Sequence, residues 1–249
     1  MSFLNKLGIG IGFGTNREIS RSLPTNTRPR TNGVPLPAVG AMRPPEMSEV
    51  TRVSNGLKEF LWNLDGLGRG TLLDLGPASQ ATLSFFIERG FRVSSEDILR
   101  GWKAFLQEEE ARLRDDVAAR DTLDMTPNGR ATRFMETSLQ YPRVSFDAVL
   151  LWDLLDYMEP MLVKQVVAGI TELLRPGGIV FGMFHSKKPE GFQRYRLADS
   201  NTLQVISTPV ICPAQKVYQN REIQDLFGRY RTMKSFVGRD QLRETLFIK

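Results

Sequence analysis

The chain has 249 residues, of which 41% are hydrophobic and 24% are charged, as is typical of a globular protein with ample length for a core. No apolar run approaches the roughly 18 residues that a membrane-spanning helix needs. The single cysteine, Cys212, excludes an internal disulfide and a cysteine-built zinc site, which suits a reducing cytoplasm. The single histidine, His185, excludes most histidine-built metal centres, and we expect no bound metal.

The net charge of +5 is concentrated near the amino terminus. Residues 1–47 contain six Lys or Arg residues and two Glu residues, so the remainder of the chain is close to neutral. A basic segment attracts any acidic partner weakly, and salt screens that attraction. The charge therefore does not indicate a domain that binds a specific nucleic acid.

Residues 1–47 also differ in composition from the rest of the chain. They combine a glycine-diluted apolar stretch with a stretch rich in Pro, Arg, Thr and Asn, and neither can bury enough apolar surface to offset the entropy lost on ordering. We predict a disordered, basic, Pro/Gly-rich extension, followed by one folded domain over residues 48–249. The alternative is that the apolar side chains of this extension bind a partner or a membrane surface.

The folded part begins with a helix and a strand–turn–helix–strand unit. Apolar residues at three- and four-residue intervals predict an amphipathic helix over Glu49–Leu64. A buried strand, Thr71–Leu75, then runs into a turn at Gly76, a helix that ends at Gly90, and a second strand, Phe91–Ser95. Such a βαβ unit, with an acid about 20 residues beyond the turn, is the arrangement that holds a nucleoside.

The middle of the chain is less clearly patterned. A long charged helix is predicted from Ile98 to about Ala119, with its charge run facing water. The segment Thr122–Arg143 has weak periodicity, and we expect a short third strand near Thr132–Phe134. Glu136 and Ser138 would then follow that strand.

Strands and helices alternate again in the second half. The pattern predicts, in order, the strand Phe146–Asp153, the helix Pro160–Leu174, the strand Ile179–Phe184, a polar connection Lys187–Asn201, the strand Leu203–Ile206, the helix Asn220–Phe227, and the strands Thr232–Val237 and Thr245–Ile248. This alternation indicates a parallel sheet covered on both faces, and the last two strands indicate a closing antiparallel hairpin. We therefore predict a three-layer α/β fold.

Four sequence segments occur in a specific order along the predicted fold. They are LLDLGPAS, the acid pair Glu96-Asp97, FDAVLLWDLLDYM and LLRPGGIVFGMFHS. The string F-D-A-V-L, followed about 25 residues later by L-R-P-G-G, is more specific than the glycine turn alone. Together the segments resemble the class I S-adenosylmethionine-dependent methyltransferases, over roughly Glu49 to Lys249.

The resemblance implies a Rossmann-like methyltransferase fold, a mostly parallel sheet with an antiparallel carboxy-terminal strand. It implies S-adenosylmethionine as the methyl donor and an acceptor that we expect to be a small molecule. The string Trp152-Asp153-Leu154-Leu155 does not match the Asn/Asp-Pro-Pro-Tyr signature of enzymes that methylate amino groups in DNA. A non-catalytic scaffold or binding protein of the same fold is the alternative.

The resemblance places donor-binding residues at the carboxyl ends of the strands. They are Asp74, Gly76, Pro77, Ala78, Glu96, Asp97 and Trp152. It implies that Asp74 helps to place the methionine end of the donor and that Glu96 accepts both ribose hydroxyls, with Glu136 and Ser138 near the adenine. Asp97 is the alternative ribose ligand, or else the cap of the following helix.

The turn at Gly76 argues against NAD as the ligand. In a dinucleotide-binding turn the second glycine lets the backbone approach a pyrophosphate, and Ala78 stands at that position here. S-adenosylmethionine carries no phosphate, so the substitution weakens the NAD interpretation more than the methyl-donor interpretation.

Two further polar residues follow the predicted strands of the second half. His185 is the candidate general base, because it ends a strand at the crevice and titrates near neutral pH. Asp153 would orient the acceptor or take a proton, and its alternative role is helix capping. A dedicated base is optional for methyl transfer, because the sulfonium is already a good leaving group and alignment supplies much of the catalysis.

Overall fold

The computed structural model describes residues 49–115, 123–208, 213–238 and 240–249. The predicted extension, residues 1–47, lies outside these ranges, as do Cys212 and the predicted end of the long helix near Ala119. None of the described helices is long and apolar enough to cross a membrane.

The described residues form nine strands, six α-helices and one 3-10 helix. The strands are β1 Glu49–Val53, β2 Thr71–Asp74, β3 Arg92–Ser95, β4 Phe146–Trp152, β5 Leu174–His185, β6 Phe192–Leu197, β7 Thr202–Thr208, β8 Thr232–Val237 and β9 Leu242–Ile248. The helices are α1 Asn55–Leu64, α2 Gln80–Ile87, α3 Ile98–Asp115, α4 Pro127–Thr137, the 3-10 helix Leu154–Tyr157, α5 Pro160–Leu173 and α6 Asn220–Leu226.

A six-stranded sheet has the order β3-β2-β4-β5-β9-β8. The first four strands are parallel, and β9 is antiparallel to both of its neighbours, β5 and β8. The prediction of a mostly parallel sheet with an antiparallel carboxy-terminal strand is confirmed. The carboxyl ends of β3, β2, β4 and β5 consequently meet at one edge, which we call the carboxyl edge.

Helices cover both faces of this sheet. On one face Phe60 of α1 lies 6.4 Å from Phe86 of α2 and 5.8 Å from Phe181 of β5, measured between ring centroids. Phe247 directly follows the β9 residue that pairs with Phe181, so its side chain points to the opposite face. There Phe227, just after α6, stacks on it at 3.6 Å. The architecture therefore has the three layers expected from the sequence.

A second sheet of three antiparallel strands, in the order β1-β7-β6, was only partly predicted. The predicted helix over Glu49–Leu64 is wrong at its start: Glu49–Val53 is β1, which pairs with β7, and the helix begins after Ser54. The Ser54 hydroxyl accepts the N–H of Leu57, and Val53, an apolar residue within the predicted helix, is 68% exposed.

The predicted polar connection over Lys187–Asn201 is also wrong, because it contains β6. Its buried residues, Phe192, Tyr195 and Leu197, are interrupted by the exposed charges of Arg194 and Arg196, which hide the strand pattern. The neighbouring strand predicted over Leu203–Ile206 is present as β7.

The expected third strand near Thr132–Phe134 is a helix instead. The side chain of Thr126 accepts the N–H of Gly129 at the start of α4, and Pro127 occupies the first helical position, where proline is favoured. Phe134 then packs edge-on against Trp102 of α3, 5.1 Å between ring centroids. In the part of the chain that the structure describes, the six-stranded sheet ends at β3.

Candidate functional site

The carboxyl edge collects the residues that the sequence singled out at four separate strand ends. Along the edge, Glu96 follows β3, Asp74 ends β2, Trp152 ends β4 and His185 ends β5. Neighbouring strands lie about 4.8 Å apart, so residues on adjacent strand ends are within contact distance. The edge divides into an Asp74–Trp152 group, a Glu96 group and an Asp153–His185 group.

Asp74 is buried, with 1% of its surface exposed, and Trp152 covers it. Its Oδ1 accepts the backbone N–H of Gly76 at 3.0 Å and the indole N–H of Trp152 at 2.7 Å. Burial raises the pKa of Asp74 to about 6, although these two hydrogen bonds act in the opposite direction. One oxygen of the carboxylate, Oδ1, is thus engaged by the protein itself.

The indole of Trp152 occupies the space in front of Gly76. A Cβ atom built on Gly76 would lie 2.5 Å from the indole Cδ1. The ring of Tyr195 of β6 stacks on the indole, with 5.7 Å between ring centroids and 7° between ring planes. Trp152 itself has a φ of +53°, a conformation that a bulky residue adopts only when its surroundings hold it.

The turn after Gly76 leads into α2. Pro77 is half-buried and Ala78 is exposed. Ser79 precedes the helix, and its buried hydroxyl has no hydrogen-bond partner among the described residues. The backbone N–H groups of the first helical turn lack partners within the helix and favour an anion.

Glu96 is half-buried at the end of β3. Its Oε1 accepts the backbone N–H of Leu139 at 3.0 Å. The hydroxyl of Tyr141 lies beside it, and burial together with the Glu96 charge raises the pKa of that tyrosine. Asp97 instead caps α3, because its Oδ1 accepts the N–H of Arg100 at 3.0 Å. This contact matches the capping alternative for Asp97.

The two residues expected near the adenine do not follow a strand. Glu136 lies in the last turn of α4 with its side chain exposed, and Ser138 ends that helix. The residue that contacts Glu96 is Leu139, through its backbone. The difference arises because the segment is helical rather than extended.

Asp153 and His185 form a contact group with two residues that the sequence did not single out, Asp156 and Tyr195 of β6. Asp153 Oδ2 accepts the Tyr195 hydroxyl at 2.9 Å and lies 3.7 Å from His185 Nε2. Asp156 Oδ2 accepts the backbone N–H of His185 at 2.8 Å and lies 3.0 Å from its Nδ1. The spacing of Asp156 three residues after Asp153 was a usable signal, whereas Tyr195 lay in a segment predicted to be a connection.

Burial is the largest single influence on the pKa of Asp153 and on that of His185, but it sets the direction of the shift only for Asp153. It raises the pKa of Asp153 to about 7, although His185 and the Tyr195 hydroxyl lower it. Burial by itself lowers the pKa of His185, but the hydrogen bond that its ring donates to Asp156 and the charges of the two carboxylates outweigh burial, so the pKa is raised. The Oδ1 atoms of Asp153 and Asp156 are buried without a hydrogen-bond partner among the described residues.

Because His185 is the single histidine of the chain, its contact with Asp156 can be tested directly. We expect the ring signals of His185 in an NMR titration to shift with a midpoint above the ordinary value of about 6.5. Asp156→Asn removes one charge and weakens the Nδ1 contact, so its midpoint should be lower than that of the wild type. Asp225→Asn, at an exposed position of α6, is the control and should leave the midpoint unchanged. A wild-type midpoint at or below 6.5 would contradict the expectation.

Asp153 should also leave a signature in stability. A carboxyl whose pKa is higher in the folded than in the unfolded protein makes the folded state bind more protons between the two values, so its contribution to stability falls as pH rises. Relative to wild type, we expect Asp153→Asn to gain about 1 kcal/mol in unfolding free energy for each pH unit between 5 and 7. Urea unfolding at pH 5, 6 and 7 measures this. A difference that stays constant over that range would refute it.

A cavity of about 670 Å³ opens beside His185. The three-stranded sheet, the segment 187–191 after β5 and the turn before β9 form its walls. Three cationic side chains line the cavity: Arg52, Lys187 and Lys188. Of these, Arg52 forms ion pairs with Asp240 and Glu244. The volume lies in the range of small-molecule sites.

S-adenosylmethionine needs partners for a ribose diol, a carboxylate and an ammonium group. Glu96 lies at a strand end and can accept hydrogen bonds from the diol. The Ser79 hydroxyl, buried without a hydrogen-bond partner among the described residues at the start of α2, can donate to the carboxylate. The space in front of Gly76, by contrast, is filled by the indole of Trp152, whose N–H also donates to Oδ1 of Asp74. The edge therefore fits the nucleoside end of the donor, but the amino-acid end, whose carboxylate Ser79 would meet, does not fit while the indole stays in front of Gly76.

No family model and no curated protein matches the sequence. In structure, the chain is similar to the 1,6-didemethyltoxoflavin-N1-methyltransferase of Burkholderia thailandensis, which was crystallised with 1,6-didemethyltoxoflavin and S-adenosylhomocysteine (16% identity, 79% of each chain covered, TM-score 0.42). It is also similar to the N-methyltransferase NodS of Bradyrhizobium japonicum (13% identity, 78% of this chain and 93% of that chain, TM-score 0.38). A third similar structure is a SAM-dependent methyltransferase from Methanosarcina mazei (12% identity, 73% of this chain and 93% of that chain, TM-score 0.36).

Proposed function

We propose that this protein is an S-adenosylmethionine-dependent methyltransferase that acts on a small-molecule acceptor. The observation that carries the proposal is the arrangement of the carboxyl edge, where Glu96, the Gly76 turn and the cavity beside His185 follow one another at the ends of β3, β2 and β5. A nucleoside at Glu96 and an acceptor in the cavity would then face each other across β2 and β4.

Glu96 is the residue proposed to hold the donor nucleoside. A half-buried carboxylate with one oxygen fixed by the Leu139 N–H is well oriented to accept hydrogen bonds from a ribose diol. The bound donor supplies an activated methyl group with a good leaving group, so that the protein has mainly to align the two reactants. Asp97 is less suited to this role, because it is committed to the α3 cap.

His185 is the residue proposed to meet the acceptor. Asp156 holds its backbone N–H and its Nδ1, which fixes the ring with Nε2 turned toward Asp153. A histidine held in this way can take a proton from an acceptor hydroxyl or amine, and the adjacent carboxylates stabilise the imidazolium that results. The raised pKa of His185 means that the basic form becomes populated only as pH rises above the ordinary histidine value.

Calorimetry with S-adenosylhomocysteine and with NAD tests the proposed donor. We expect the wild type to bind S-adenosylhomocysteine and not NAD, because Ala78 carries a Cβ where a pyrophosphate would need a glycine. Binding of NAD in preference would refute the methyltransferase proposal.

A second candidate function is a non-catalytic binding protein that keeps the methyltransferase fold. The filled space in front of Gly76 favours it, because an enzyme must admit the reacting part of its donor. Thermal shift discriminates the two candidates: a donor product present at 100 times its Kd should raise the unfolding free energy by about 2.7 kcal/mol. If S-adenosylhomocysteine leaves the melting temperature unchanged at millimolar concentration, the non-catalytic candidate is the better one.

A further inference from the structure

The indole of Trp152 and the amino-acid end of S-adenosylmethionine compete for the same place. A ribose held at Glu96 lies at the end of β3, and its 5′ substituent reaches the next strand end, β2, about 4.8 Å away. That strand end is Asp74 and Gly76, where the indole sits and donates to the carboxylate at 2.7 Å. At that carboxylate the ammonium of the donor would meet an Oδ1 that already accepts the indole N–H and the Gly76 N–H.

Three contacts hold the indole in this position. Its N–H donates to Asp74, its ring stacks on Tyr195, and it meets Phe181 edge to face with 6.1 Å between ring centroids. The Tyr195 hydroxyl in turn donates to Asp153 Oδ2, which faces His185 at the wall of the cavity. The indole is therefore linked through Tyr195 and Asp153 to the side of the edge where the acceptor is proposed to bind.

We propose that Trp152 determines which ligands the carboxyl edge accepts: with the indole in front of Gly76 the edge binds a nucleoside but excludes the amino-acid end of S-adenosylmethionine. The full donor binds only when the indole has left this space. This inference rests on the proposed function for the identity of the donor. It adds that the apparent affinity for the donor equals the affinity of the form with the indole displaced, multiplied by the fraction of molecules in that form.

Calorimetry on Trp152→Gly, with adenosine and S-adenosylhomocysteine as paired ligands, tests the proposal. Glycine suits the positive φ at this position, so the variant removes the indole without a backbone conflict. We expect the affinity for S-adenosylhomocysteine to rise at least about tenfold, as it must if the displaced form is a tenth of the population or less. The affinity for adenosine should change by less than about threefold. Trp62→Gly, which removes an exposed indole of α1, is the control for the substitution itself.

Quenching of tryptophan fluorescence by acrylamide gives a second measurement that keeps Trp152 in place. In a variant with Trp62→Phe and Trp102→Phe, the remaining indole is 4% exposed and should be poorly quenched. Saturating S-adenosylhomocysteine should increase the quenching, whereas saturating adenosine should not. This measurement decides the question if Trp152→Gly fails to fold.

The outcomes separate the two proposals. Equal affinity of the wild type and Trp152→Gly for S-adenosylhomocysteine, or quenching that S-adenosylhomocysteine leaves unchanged, overturns the role of Trp152 and leaves the methyltransferase proposal standing. Binding of S-adenosylhomocysteine by Trp152→Gly alone supports the role of Trp152. Failure of every variant to bind either ligand overturns both.

Discussion

Glu96→Ala is expected to weaken the binding of S-adenosylhomocysteine at least about tenfold while the fold survives. Two charge-assisted hydrogen bonds to a ribose diol are each worth about 1.5–3 kcal/mol, and 1.4 kcal/mol already corresponds to a factor of ten. The residue is half-buried at the end of an edge strand, and in the protein it accepts one backbone hydrogen bond, from Leu139. Calorimetry gives the affinity, and urea unfolding gives the stability.

Asp97→Ala is the matched control for this prediction. It removes the α3 cap, which costs about 1 kcal/mol of stability, and it should leave the donor affinity unchanged. The two acids are neighbours in sequence, so a non-specific effect of lost charge would appear in both variants. If Asp97→Ala weakens binding and Glu96→Ala does not, the ribose contact lies at Asp97 and our assignment of Glu96 is wrong.

Glu244→Ala is expected to lower the unfolding free energy by about 3 kcal/mol, the largest stability effect that we predict. Glu244 is 2% exposed; its Oε1 pairs with Arg52 of β1 and its Oε2 accepts the N–H of Gly56 at 2.6 Å. The substitution leaves the Gly56 N–H without this acceptor and leaves Arg52 with only the more exposed Asp240, which is more costly than losing an exposed pair. Urea unfolding measures the loss.

Asp240→Ala provides the comparison, since Asp240 contacts the same arginine from a position with 46% of its side chain exposed. Exposed ion pairs contribute about 0–1 kcal/mol, so this variant should be close to wild type. Equal losses in both variants would contradict the view that burial sets the cost. Because Arg52 also lines the cavity, Glu244→Ala should disturb the cavity wall as well as the fold.

The three-stranded sheet explains why the carboxyl edge has two compartments. It brings Tyr195 onto the indole of Trp152, and its strands β1, β6 and β7 supply one wall of the cavity beside His185. The indole thus stands between the proposed nucleoside site at Glu96 and the proposed acceptor site. In the proposed reaction the methyl group moves from the donor, whose nucleoside is at Glu96, to the acceptor in the cavity. The position of Trp152 lies between these two sites, so the proposed activity depends on the position of its side chain.

The sequence by itself determined the main sheet and the strand ends that form the site. Buried strands such as Phe146–Trp152 are apolar runs, interrupted here by Asp147 alone, and their bounding glycines and acids are local signals. Because parallel strands of one sheet end at the same edge, the order of these local elements was sufficient to place Asp74, Glu96, Trp152 and His185 together. No long-range information was needed for that step.

Only the tertiary structure decided what those residues contact. The pairing of Glu49 with Ile206 turned a predicted helix start into a strand, and the position of Tyr195 on Trp152 follows from that second sheet. Such contacts join segments far apart in sequence, and the short segments involved have no decisive period of their own. Trp152 shows the difference most clearly: its place at a strand end was readable from the sequence, whereas its position in front of Gly76 results from packing against β6 and from the buried carboxylate of Asp74.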